Sequence, residues 1–324
     1  MKPQLAGLVL LLAGGAPLWS GLALAQDTAA QELPNAAAVP AEAKAPTPAG
    51  TNLAYGAYQR GFYLTAKNLA EPLANLGDSA AQTLLGEIYS RGLGVRRDET
   101  MAARWYEAAA KSGNAEGQFR YALLLLDGKS VPQDLAKGRD LMKAAADAGI
   151  PLAQYNYGQM LIQASPTSGF AAAKTYFEKS AAGGVADAQY AMSQIYASGR
   201  GVAAPDMQAA RQWLTAAAIN GQDTAQIELG IWLINGKGGP ANPADGASWL
   251  RRAASRGNAI AMNRIAHLYI AGIGVPADKA EAAKWAVLAK RANNTDTALD
   301  DFFRGLDEAM QRQALDAANK FRTS

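Results

Sequence analysis

Leu85-Gly86-Glu87-Ile88-Tyr89, then Gly92-Leu93-Gly94-Val95, Asp98 and Trp105-Tyr106-Glu107-Ala108-Ala109 spell a helix, a glycine turn and a second helix. Ala81, Leu85, Ile88 and Tyr89 fall on one face of the first, helix A. Gly92 and Gly94 end it in a short turn. Asp98 stands where a side-chain oxygen caps the free N–H groups of helix B, whose buried face is Ala102, Trp105, Tyr106 and Ala109. Gly113 closes the unit, since glycine adopts the left-handed conformation beyond a helix end without strain.

Stepping outward every 36 residues finds the same unit again. One track reads Trp105, Leu141, Phe177, Trp213, Trp249 and Trp285, all large and apolar. A second reads Asp98, Asp134, Phe170, Asp206, Asn242 and Asp278, five of them good caps. A glycine track runs through Gly77, Gly113, Gly149, Gly221 and Gly257, with Gly184 one place early. Gly86, Ala122, Gly158, Ser193, Gly230 and Ala266 keep one helix A position small, which lets another helix approach closely. No helix pair of this kind buries its apolar face alone, so neighbours must stack. The expected fold is all-α, an α-solenoid of about six antiparallel helix pairs over residues 78–293. The third copy, Ala153–Gly183, lacks the glycine turn and the capping aspartate. Leu53–Leu76 before the repeats, and Thr297–Leu306 and Glu308–Phe321 after them, read as divergent closing helices.

These motifs resemble the Sel-one-like repeat, a subclass of the tetratricopeptide superfamily: an alanine, Leu-Gly-x-x-Tyr, Gly-x-Gly-Val, Asp, and Trp-Tyr-x-x-Ala-Ala. Later copies write Gly272-Ile273-Gly274-Val275 and Ala283-Lys284-Trp285. The resemblance implies A helices lining an inner, concave face. It also implies a non-enzymatic adaptor in envelope signalling, secretion or exopolysaccharide control. Some cysteine-rich relatives have been assigned action on peptidoglycan or β-lactams, so a cell-wall enzyme is one alternative. A glycan-binding module is another.

Met1–Ala25 reads as a secretory signal peptide: Lys2, an apolar run from Leu5 to Leu18, then Ala23-Leu24-Ala25 before the expected cleavage. Residues 26–51, rich in alanine and proline, read as a disordered leader, because they offer too little apolar surface to offset the entropy of ordering. Residues 52–324 are expected to form one repeat domain. Export to a bacterial periplasm, or beyond the cell, follows from the signal, with no stable membrane insertion after cleavage. The 324 residues contain no cysteine and one histidine, His267, which excludes disulfides, thiolate metal sites and the HExxH motif. The formal charge of +3 gives no argument for nucleic acid. No metal or cofactor is expected; solenoid flanks can dimerise, and the sequence is compatible with either a monomer or a homo-oligomer.

Function is therefore sought on a surface. Helix A positions 84 and 87, and their equivalents, lie between buried residues and are expected to face outward. The candidate partner-binding residues are Glu87, Arg120, Asn156, Gln159, Gln194, Glu228, Arg264 and His267. Amides at the centre of this stripe offer donor and acceptor together, which suits a peptide backbone or carbohydrate hydroxyls. The plainer reading is ordinary solvated helix surface. The expected partner is another envelope protein or a peptide. Asp296, Asp300 and Asp301 are more simply a solvated face than a cation site.

Overall fold

A computed structural model describes residues 49–322. Sixteen α-helices and no strand occupy them. α1 (Ala49–Gln59) and α2 (Tyr63–Asn75) open the fold. Six pairs follow: α3 (Ser79–Arg91) with α4 (Glu99–Lys111), α5 (Ala115–Asp127) with α6 (Leu135–Asp147), and α7 (Pro151–Ala164) with α8 (Gly169–Ala182). Next are α9 (Ala186–Ser198) with α10 (Met207–Ile219), α11 (Asp223–Asn235) with α12 (Pro243–Ser255), and α13 (Ala259–Ala271) with α14 (Lys279–Arg291). α15 (Thr297–Arg304) and α16 (Glu308–Lys320) close the chain. The fold class is the expected all-α solenoid of helix pairs.

The chain divides into two compact units between Ser180 and Ala181, in the last turn of α8. In the N-terminal unit each helix from α1 to α7 packs on the next, and α3 also touches α1 and α5. In the C-terminal unit α9 to α14 pack in the same serial way, and α14 carries α15 and α16. The signal peptide and residues 26–48 of the leader lie outside the described residues. The leader boundary needs correction, because Ala49, Gly50 and Thr51 belong to α1. Composition hid this: Thr51 is fully buried and its hydroxyl donates to Asp78 Oδ2 at 2.7 Å.

The caps follow the sequence. Asp98, Asp134, Asp206, Asn242 and Asp278 each accept a backbone N–H of the first turn of their B helices. The six track glycines all have φ between 75° and 95°. The small helix A position does what close packing requires. A Cβ on Gly86 would lie 2.5 Å from the Tyr106 ring, and one on Gly158 would lie 2.6 Å from the Phe177 ring.

That pairing corrects two tracks. Tyr106 lies 20 residues after Gly86 but Phe177 only 19 after Gly158, so Phe177 fills the place of Tyr106, and Tyr176 that of Trp105. By the same shift Gly169, not Phe170, fills the place of the capping Asp98. The reason is the short turn 165–168. It presses the start of α8 so close to the carbonyl of Leu161 that Gly169 has no room for a Cβ. The longer turn 199–206 restores the 36-residue register in the next copy. Tyr106, Met142, Phe177, Leu214, Leu250 and Ala286 then form the deep B-helix track, all buried.

A second device was not foreseen. Gln82, Gln154, Gln189 and Gln226 are buried and donate through Nε2 to the carbonyls of Ala74, Ala146, Ala181 and Ala218, each eight residues back and 3.0–3.2 Å away. Each bond ties a helix A to the last turn of the helix before it and satisfies a terminal carbonyl that would otherwise be orphaned.

Candidate functional site

The side chains expected on an outward stripe are largely covered. Leu84 is 2%, Asn156 5%, Ala191 and Ile231 6% and Gln159 8% exposed, while Arg120, Gln194, Glu228, Arg264 and His267 are half-buried. Asn156 and Gln159 are therefore corrected as displayed groove amides. Asn156 Nδ2 donates to the Leu152 carbonyl at 2.9 Å and Gln159 Nε2 to the Tyr155 hydroxyl at 2.8 Å, so both donors serve their own helix. The spacing rule treats a helix as isolated, whereas α7, which carries Asn156 and Gln159, packs on α6, and α3 touches both α1 and α5.

Glu87 and Arg120 are brought together. Glu87 Oε1 pairs with Arg91 Nε at 2.7 Å, and its Oε2 accepts the Tyr106 hydroxyl at 3.0 Å. Arg120 Nη2 lies 4.0 Å from that oxygen, and Arg120 Nε pairs with Glu116 at 2.7 Å. Burial, reinforced by the Glu87 charge, pushes the Tyr106 hydroxyl well above the usual phenol range.

In the C-terminal unit Gln194 donates to Glu228 at 3.1 Å. Burial raises the Glu228 carboxyl above its ordinary value, against the stabilising effect of that bond. Arg264 keeps a buried Nε without a hydrogen-bond partner. His267 Nε2 lies 2.9 Å from Asp296 Oδ2, which also accepts Asn263 Nδ2 at 3.0 Å. Asp296 Oδ1 meanwhile caps α15 through the N–H groups of Ala298 and Leu299. His267 thus ties the closing helix to the last repeat. Asp300 pairs with Lys290 and Asp301 with Arg304, so the three aspartates face different partners. No group of three or more His, Asp or Glu among the described residues is arranged to hold a metal ion.

The structure adds a groove of about 840 Å³ in the N-terminal unit. One wall is α1, with Asn52, Tyr55, Gly56 and Gln59; the other is the first turn of α3 and of α5, with Ser79, Thr83, Asn114 and Glu116, and Ile150 closes one end. The Thr83 hydroxyl donates to Asn114 Oδ1 at 3.1 Å, joining the two repeats at the groove floor. Burial first, and then the charges of Glu116 and Glu87, push the Tyr55 hydroxyl up to about 12. Its protonated hydroxyl donates to the Ala80 carbonyl at 3.5 Å. The stripe missed these residues because α1 lies outside the repeat. The one signal was the pair Tyr55 and Tyr58 just beyond a tract without aromatics.

The Sel1 repeat family model matches six consecutive segments, 79–114, 115–150, 151–185, 186–222, 223–258 and 259–294, about two thirds of the chain. The third and fourth are one residue short and one long, as the turns require. A solved Sel1 repeat protein from Oxalobacter formigenes superposes with a TM-score of 0.64 at 24% identity, covering 74% of this chain and 96% of that one. A protective antigen of uropathogenic Escherichia coli with an SLR fold gives 0.52 at 26% identity, covering 80% and 64%. The chitin synthase regulator SKT5 of Saccharomyces cerevisiae is 25% identical over 224 residues. That match takes in 54% of this chain and only 32% of the yeast protein.

Proposed function

Because the chain belongs to the Sel1 repeat family, we propose that it is a non-enzymatic scaffold that holds an extended segment of a partner protein between α1 and the first turns of α3 and α5. Such repeats mediate protein–protein interaction. The observation that carries the finer reading is the groove. The exposed Asn52 and Gln59 of α1 present amides to it, over a floor where Thr83 and Asn114 bond to each other. A bound strand presents alternating N–H and C=O groups, and side-chain amides meet either. In this reading the protein is exported to the periplasm, on the strength of the Met1–Ala25 pattern, and its partner is an envelope protein. The yeast relative, described as a chitin synthase regulator, supports exopolysaccharide control as the pathway to examine first.

The test is crosslinking capture from envelope extract with the native chain, an Asn52→Arg/Gln59→Arg variant and an Arg104→Glu control on the outer helix B. All three positions are exposed, so helicity should be unchanged. The reading expects a partner held by the native chain and by the control but lost from the double variant. Equal capture by all three would remove the groove as the binding site. Fractionation with N-terminal sequencing checks export, with a mature chain beginning at Gln26 as the expected result.

A further inference from the structure

α15 is only eight residues long, roughly 12 Å of helix, whereas α14 and α16 have thirteen each. α15 is too short to cover the flank of α14 that faces α16, and a cavity of about 540 Å³ remains among the three. Leu299 and Ala286 form its buried floor, with half-buried Val287 and Phe303 and exposed Leu315 as its walls. No Ser, Thr, Asn or Gln side chain lines it. An occupant with buried amides would find no partners there, and leaving them unpaired is costly. The body of a fitting ligand is therefore hydrocarbon.

The mouth is charged. Lys290 and Arg291 end α14, Arg304 ends α15, and Asp300 stands between them. Lys290 Nζ donates to both oxygens of Asp300, at 2.9 and 3.0 Å, so that carboxylate is already neutralised. Arg304 pairs with Asp301, and Arg291 donates to the neutral Asn319 Oδ1 at 2.9 Å. Three cations against two carboxylates leave the mouth positive, and Arg291 is free to exchange a neutral partner for an anion. We propose that this cavity in the C-terminal closing helices binds an anionic amphiphile, an apolar chain ending in a carboxylate or phosphate. Its volume lies within the range of small-molecule sites.

The experiment titrates monomeric dodecanoate into the full chain by calorimetry, beside its cationic counterpart dodecyltrimethylammonium. One saturable site for dodecanoate is expected, with the cation at least about tenfold weaker. Arg291→Glu/Arg304→Glu, at exposed positions, should weaken dodecanoate about tenfold with helicity unchanged, and Val287→Trp should weaken it about tenfold by narrowing the apolar cavity. Equal binding of both amphiphiles, or undiminished binding in both variants, would overturn the proposal. So would tighter binding of a short peptide ending in a leucine carboxylate than of dodecanoate. Cosedimentation with phosphatidylglycerol vesicles, lost in the same variants, would identify a bilayer lipid as the source. Dodecanoate binding without cosedimentation would identify a free amphiphile.

Discussion

The first and third repeats make the same core contact inside different frames. In the first, Asp78 and Asp98 cap both helices, and the turn between them runs from Gly92, at a φ of 68°, to Asp98. In the third, Ile150 offers α7 no side-chain cap, Pro151 stands at its start, and α8 begins at Gly169 straight after 165–168. Yet Gly86 meets the Tyr106 ring and Gly158 the Phe177 ring at almost the same separation. Proline at the first position is one substitute for a cap, since its missing N–H would have been an orphan. The lesson is that close approach of helix A to helix B defines the unit, while caps and turns adjust around it.

The largest effect should come from breaking the shared contact. Gly86→Val and Gly158→Val should each destabilise by about 3 kcal/mol in urea unfolding, because branched side chains would overlap the facing rings. A Gly158→Val loss less than half that of Gly86→Val would end the equivalence. Asp78→Ala should remove about 2 kcal/mol, since it deletes a cap and leaves the buried Thr51 hydroxyl without its partner. Asp98→Ala deletes a cap alone and should remove about 1 kcal/mol. Asp296 is doubly used like Asp78, which gives the comparison a pH axis. Burial opposes its charge, but bonds from His267, Asn263 and Leu299 outweigh it and hold the carboxyl at about 2, below the ordinary 3.8. Its stabilising effect is therefore complete above the ordinary carboxylate range and is lost as pH falls through about 2. Asp296→Asn should flatten acid unfolding in that window, as followed by circular dichroism. The smallest difference is in fraying: amides in the first turns of α7 and α8 should exchange with deuterium faster than those of α3 and α4.

Periodicity made the fold legible because each repeat solves the same packing problem. Trp105, Asp98, Gly113 and Gly86 carry separate constraints, and each constraint recurs at one spacing. The register slip at Phe177 escaped a fixed step, since a turn can lose a residue without moving the contact it serves. The glutamine ties were equally present in the sequence, but a buried glutamine and an exposed one are spelled alike. The candidate site was the least legible part. Asn156 and Gln159 look free on one helix and are covered once neighbouring helices stand beside it. Tyr55 and Asn52 belong to a helix outside the period, so no step of 36 residues could reach them.

The unequal turns 165–168 and 199–206 make the molecule a practical carrier. Segments whose length already varies between copies, and which hold neither the glycine–ring contacts nor the glutamine ties, are the natural insertion points for an epitope or a fluorophore. A label grafted between Ala203 and Pro205, both exposed, would report on the scaffold from a segment that lines neither the groove beside α1 nor the cavity beside α15.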